Sequence, residues 1–269
     1  MAKTIAWVAG ALLAAGALIW GAQWWQARTT QLVAPPPVAQ APASALEPKP
    51  DPSAAAPPKV EYPIEPAPDA PQITLDASDA PLRDALTSLF KGTLPEFVQP
   101  LNLIRHVVAT IDNLPREKTA PRLLPVRPPA GALSPTNAGD SVVIAPDNSA
   151  RYAPVIGAVQ AVDTRQLVAV YVHFYPLFQQ AYRELGYPDG YFNDRLVTVI
   201  DHLLATPAVK APIALVQPKV LYRYADPELE GLSSGQKAMI RIGPDNAAVL
   251  KAKLREVRNE VTGTQITGR

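Results

Sequence analysis

Hydrophobic and polar positions divide the chain into three regimes. From Ile5 to Trp25 every residue is uncharged, about 21 positions, the length of a helix that crosses a bilayer. Trp20, Trp24 and Trp25 sit at its far end, where aromatic rings favour the interface, and Lys3 with the terminal amine precedes it. A cleaved export signal fits less well, because Trp20 would stand at −3 for a cut after Ala22 and Trp25 for a cut after Ala27. The positive-inside bias then predicts a cytoplasmic N-terminus and an exported remainder.

From Thr29 to about Pro71 large apolar residues thin out and Pro and Ala dominate. Such a stretch buries too little surface to offset chain entropy, so it reads as a disordered spacer with polyproline II character. Fully extended at about 3.1 Å per residue, it would hold a domain on the order of 100 Å from the membrane. A PxxP ligand is the alternative reading.

Helical periodicity begins near Ile73. Ser78 or Asp79 is placed to cap a helix with Pro81 in its first turn and Leu82, Leu86 and Leu89 on one face. Ile104, Val107, Val108, Ile111 and Leu114 form the next stripe, with Arg105 and Asp112 two turns apart on the opposite face. Residues 115–150, rich in Pro and Gly with interspersed arginines, read as an irregular loop. Two helices follow between Ser149 and Leu185, broken near Asp163. The second carries Leu167, Tyr171, Phe174, Tyr175, Phe178 and Tyr182 on one stripe, with a kink expected at Pro176.

Gly186 and Pro188 end that helix, and Asp189–Gly190 is a turn signal. Asn193 or Asp194 can cap the next one, which points Leu196, Ile200, Leu203 and Leu204 inward and Asp194, Thr198, Asp201 and His202 outward. Ile213–Tyr224 contains Pro218 and is at best a short edge strand or an extended arm. A short helix over Ser233–Ile242 and a long one from Pro244 complete the chain. Leu250, Leu254, Val257 and Val261 line the long helix, with Lys251, Arg255 and Arg258 as a basic ridge.

The expected fold class is therefore mainly α: a transmembrane anchor (1–28), a disordered Pro/Ala-rich linker (29–72), one compact helical domain with long irregular loops (73–262), and a disordered tail (263–269). Composition changes this picture little. A net charge of +1 and pI near 7.9 give no single-sign field to draw nucleic acid. The absence of cysteine removes disulfides, thiolate metal sites and cysteine nucleophiles.

Candidate chemistry gathers in Tyr171–Pro207, which holds eight of the fourteen Tyr and Phe rings. An aromatic stripe at helical spacing reads first as core. Its alternative is a groove in which Tyr175, Tyr182 and Tyr191 meet a sugar or peptide beside Asn193, Asp194, Arg195, Asp201 and His202, with Arg105 and Asp112 as partners from elsewhere. Asp194 and Asp201 lie seven residues apart, about 10.5 Å along a helix, longer than the roughly 5–9.5 Å of a glycosidase acid pair. His106, His173 and His202 fall on separate helices without HxxxH or HExxH spacing, so no metal is expected. No phosphate-binding glycine loop and no GxSxG elbow is present, and neither a cofactor nor a catalytic residue is assigned.

DNLPR at 112–116, ARYAP at 150–154, the block from Phe174 to Pro207 and VQPKVLYRYADPELEGLSSGQ at 216–236 resemble the bacterial domain-of-unknown-function family numbered 3014, over roughly residues 75–258. The resemblance implies a membrane-anchored protein with a proline-rich spacer, and brings no catalytic residue, substrate or cofactor. The expectation is a single-pass inner-membrane protein, anchored through residues 5–25, whose periplasmic domain binds or scaffolds an envelope protein or the cell wall. A peptidoglycan or other sugar-active hydrolase using Asp112, Asp194 or Asp201 is the alternative, and a self-associating structural protein the third.

Overall fold

The computed structural model describes residues 59–90, 96–99, 101–118, 121–129 and 133–263. The helices are α1 (Asp79–Leu89), α2 (Leu103–Asn113), α3 (Ala153–Ala161), α4 (Thr164–His173), α5 (Tyr175–Glu184), α6 (Phe192–Leu204), α7 (Pro227–Glu230), α8 (Ser234–Arg241) and α9 (Pro244–Gly263). Four short strands, β1 (Pro135–Ala138), β2 (Ser141–Ile144), β3 (Ala214–Val216) and β4 (Arg223–Tyr224), form one antiparallel sheet in that order. The chain is mainly helical, as its periodicity predicts.

The apolar stripes face where their spacing sends them. Ile104, Val107, Val108 and Ile111 of α2, with Leu114 just after it, are buried against α5 and α6, and Leu250, Leu254, Val257 and Val261 of α9 against α3, α4 and α6. Each such side chain stabilises the fold by about 1.5–3 kcal/mol through burial. Asp163 caps α4 by accepting the Gln166 N–H at 2.9 Å. Asp79 does something less local. Its carboxylate accepts the Asn102 and Leu103 N–H groups at 2.7 and 3.0 Å, so it caps α2 rather than its own helix.

Three expectations need correcting. The aromatic stripe runs along two helices, not one kinked helix: Phe174 leaves the helical region at φ −92°, ψ 4°, and Pro176 sits in the first turn of α5, where its missing N–H costs nothing. Residues 115–150 are not wholly irregular. They contain the β1–β2 hairpin, turned at Gly139 (φ +62°), with Thr136 opposite Val143. The sheet packs Leu215 and Tyr224 against Ile240 of α8 in a small second core.

The third correction is the spacer boundary. Packed chain starts well before Ile73, because Ile64 is buried in the main core with Tyr62 and Ala67 against it. The expected anchor and residues 29–58 of the expected linker lie outside the described residues, as does 264–269 of the tail. Among the described residues, no helix is long and apolar enough to cross a membrane.

Candidate functional site

Three blocks of chain converge on Asp112, at the end of α2. Its carboxylate is buried at 2% exposure. Arg195 of α6 donates from Nε to Oδ1 at 3.0 Å and from Nη2 to the Asp112 carbonyl at 2.8 Å. Arg116 donates to Oδ2 at 2.5 Å, and the Tyr187 hydroxyl to the same oxygen at 3.1 Å. One carboxylate thus joins α2, the turn before α6, and α6 itself. The placement of Asp112 on the face opposite the apolar stripe is corrected accordingly: it is buried, where Arg195 of α6 covers it.

The same corner receives the start of α8. Ser234 and Gly235 donate their N–H groups to the carbonyls of Arg116 and Leu114, at 2.8 and 3.0 Å. The amide-rich end of one helix thereby satisfies carbonyls at the end of another. Gly235 is needed for this approach, since a Cβ there would stand 2.7 Å from Leu203 Cδ2 and 3.0 Å from the Leu114 oxygen. Ser233 and Gln236 close a capping box on α8, and His202 Nε2 lies 2.8 Å from Ser233 Oγ.

His202 is held below its ordinary pKa, first by burial and then by the charge of Arg195. Geometry agrees with a neutral ring. Ser233 Oγ accepts the Gln236 N–H and keeps a proton of its own, which Nε2 of a neutral ring can accept. His106, whose Nδ1 is buried without a partner among the described residues, is also lowered by burial. An unfolded histidine protonates at about 6.5, so between that value and the lower folded one the unfolded state binds more protons. Stability is therefore present above pH 6.5 and is lost as pH falls through the folded values. Urea midpoints are expected to drop from pH 7 to pH 5, with a smaller drop in His202→Gln and the smallest in His202→Gln/His106→Gln.

A second polar group lies at the first turn of α6, and it is occupied by the chain itself. Asp194 accepts the N–H groups of Glu61 and Tyr62 at 3.0 and 2.8 Å. The Tyr191 hydroxyl accepts the Ile64 N–H at 2.6 Å and faces its carbonyl at 3.3 Å. Asn193, fully buried, donates to the carbonyls of Tyr62 and Val261 at 2.9 and 3.1 Å and accepts the Tyr171 hydroxyl at 3.2 Å. Neither Asn193 nor Asp194 makes a side-chain cap on α6. The two residues hold an arm, residues 61–64, that composition alone had merged into the spacer.

The remaining predicted residues separate. Tyr175 and Tyr182 are core: Tyr175 donates to Gln179, its hydroxyl pushed up chiefly by burial, and Tyr182 stacks on Tyr187 at 4.6 Å. Arg105 pairs with Asp76 at 2.6 Å and Glu184 at 3.2 Å, away from Asp112. Asp201 meets Arg258 through two bonds of 2.6 and 3.0 Å. Asp112, Asp194 and Asp201 thus each serve a different partner. Tyr187, Arg116, Ser233 and the arm were missed as participants. Among the described residues, no group of three or more His, Asp or Glu side chains is arranged to hold a metal ion.

A family model described as "Protein of unknown function (DUF3014)" matches residues 103–258, from the first residue of α2 into α9. No curated protein and no solved structure matches the chain.

Proposed function

The chain belongs to the DUF3014 family, and from its own residues we propose that it is a membrane-tethered, non-catalytic envelope protein whose helical domain binds or scaffolds a partner in the periplasm. The observation that carries this reading is the arm. The proline-rich stretch enters the domain through residues 61–64, which Asp194 and Asn193 of α6 and Tyr191 just before it grip by five hydrogen bonds, with Ile64 buried beside them. A tension along the spacer would therefore reach the centre of the core through α6, not a frayed end. That is what a tether needs. The uncharged run 5–25 and the proline-rich composition that follows it supply the rest of the argument.

The hydrolase alternative has less support. It requires carboxylates converging in a cleft, whereas Asp112 is spent on two arginines, Asp194 on backbone amides and Asp201 on Arg258.

Topology is the test. The chain has no cysteine, so Ala45→Cys creates a single thiol, and whole cells are treated with a membrane-impermeant maleimide. Labelling without lysis is the expected result; labelling only after lysis would overturn the proposal. Purified full-length chain mixed with cell-wall sacculi is expected to leave them undigested, and release of soluble fragments would favour the hydrolase.

A further inference from the structure

We propose that the arm site on α6 is an exchange site, in which residues 61–64 of one copy seat on Tyr191, Asn193 and Asp194 of a second copy on the same membrane. The inference rests on the tethered reading above, which brings copies together on one surface. Recognition at this site is addressed mainly to main chain. Asp194 takes two successive N–H groups, Tyr191 an N–H and a carbonyl, and Asn193 a carbonyl, while Ile64 fills the apolar position. This is how an extended peptide is bound by a separate domain. The hydrogen bonds to Tyr191, Asn193 and Asp194 all lie within residues 61–64, so an arm arriving from another copy makes the same bonds.

The joint to the domain is built to straighten. Residues 65–72 read EPAPDAPQ, with prolines at 66, 68 and 71 that bias their neighbours toward extended conformations. This joint is held by one turn, Ala70 N–H to the Ala67 carbonyl at 2.9 Å, by an exposed contact of 3.4 Å between Asp69 and His173, and by Ala67 against the core. Extended, the eight residues span about 25 Å. Exchange of an identical element leaves the contacts unchanged and alters only the path of the joint, which makes it a low-cost route to a two-fold dimer. The opposing factor is local concentration. An arm on a short joint sees its own site at roughly millimolar, so exchange is confined to crowded copies.

The test uses full-length chains in membranes. Two differently tagged copies are co-expressed, one with Glu61→Cys and one with Thr198→Cys, a turn beyond Asp194 on the exposed side of α6, and treated with a short bismaleimide. A third chain carrying both cysteines reports the internal contact and the integrity of the fold. The expected result is a covalent species bearing both tags. It should rise several-fold when Asp194→Ala is placed in the Glu61→Cys copy alone, because that arm's own site then loses two charge-assisted bonds, about tenfold in affinity, while the partner's site keeps them, and it should fall after dilution in detergent. A clean internal link in the double-cysteine chain with no two-tag species would overturn the proposal, as would a two-tag species indifferent to Asp194→Ala. Sedimentation of the same fractions separates the two readings: chains absent from the membrane pellet defeat the tether, whereas pelleted chains without the two-tag product defeat exchange alone.

Discussion

Replacing Asp112 with alanine is expected to destabilise the folded chain by about 3 kcal/mol, measured by urea denaturation at pH 7. Among the described residues the carboxylate is the one anion that the Arg195 and Arg116 guanidinium groups share, and it is 2% exposed. Removing it leaves Arg195, whose side chain is about a quarter exposed, partly desolvated and unpaired. Arg116 is about half exposed and can turn to water, which is why the low end of the range for a broken buried pair applies. By the same logic Arg116→Ala should cost under about 1 kcal/mol. Asp112→Asn keeps an acceptor for one arginine and should fall between the two. Adding Arg195→Met to Asp112→Ala should recover part of the loss, because the stranded charge is then gone. Equal costs for Asp112→Ala and Arg116→Ala would show that the corner is held by packing and by the α8 amides instead.

The legibility of this corner follows the range of the forces involved. Stripes such as Leu196, Ile200 and Leu203, or Leu250 through Val261, were readable because one helix needs only its own periodicity to present an apolar face. Asp112 was not, because its burial depends on which neighbour covers the flank of that stripe. Arg105 shares its azimuth two turns earlier and meets Glu184 of α5 instead. Of the sheet only a short edge strand or extended arm over Ile213–Tyr224, where β3 and β4 lie, was legible, because its strands are two to four residues long, too short for alternation to register. Gly139–Asp140, between Thr136 and the run Val142–Ile144, was the signal available. The arm was hidden by average composition, yet Val60, Tyr62 and Ile64 alternate within an otherwise Pro- and Ala-rich stretch. That pattern is a two-residue repeat of the kind a bound extended segment shows.

Asn193→Asp should lower stability more than Asn193→Ala at pH 7, although it keeps the shape of the side chain. Asn193 is fully buried and satisfies three groups at once. Its oxygen faces the Tyr171 hydroxyl, which burial keeps neutral, and its nitrogen faces the Tyr62 and Val261 carbonyls. Val261 lies in the last turn of α9, where carbonyls have no partner within the helix. Alanine strands the Tyr171 hydroxyl and the Val261 carbonyl in the core and removes one of the arm's hydrogen bonds, a cost of about 3 kcal/mol. Aspartate keeps the acceptor for Tyr171 but sets a buried charge against two carbonyl oxygens, adding repulsion and desolvation to the lost bonds. Its pKa in the folded state must then rise above the unfolded value of about 3.9. Between those values the folded state binds the extra proton, so the aspartate variant gains stability relative to the native chain as pH falls, opposite to the trend expected from His202. Urea midpoints of both variants and the native chain, each taken at pH 7 and pH 5, decide the matter. An aspartate variant as stable as the alanine one at pH 7, or a gap from the native chain that does not narrow at pH 5, would mean that the amide does not join the arm, α4 and α9 through α6.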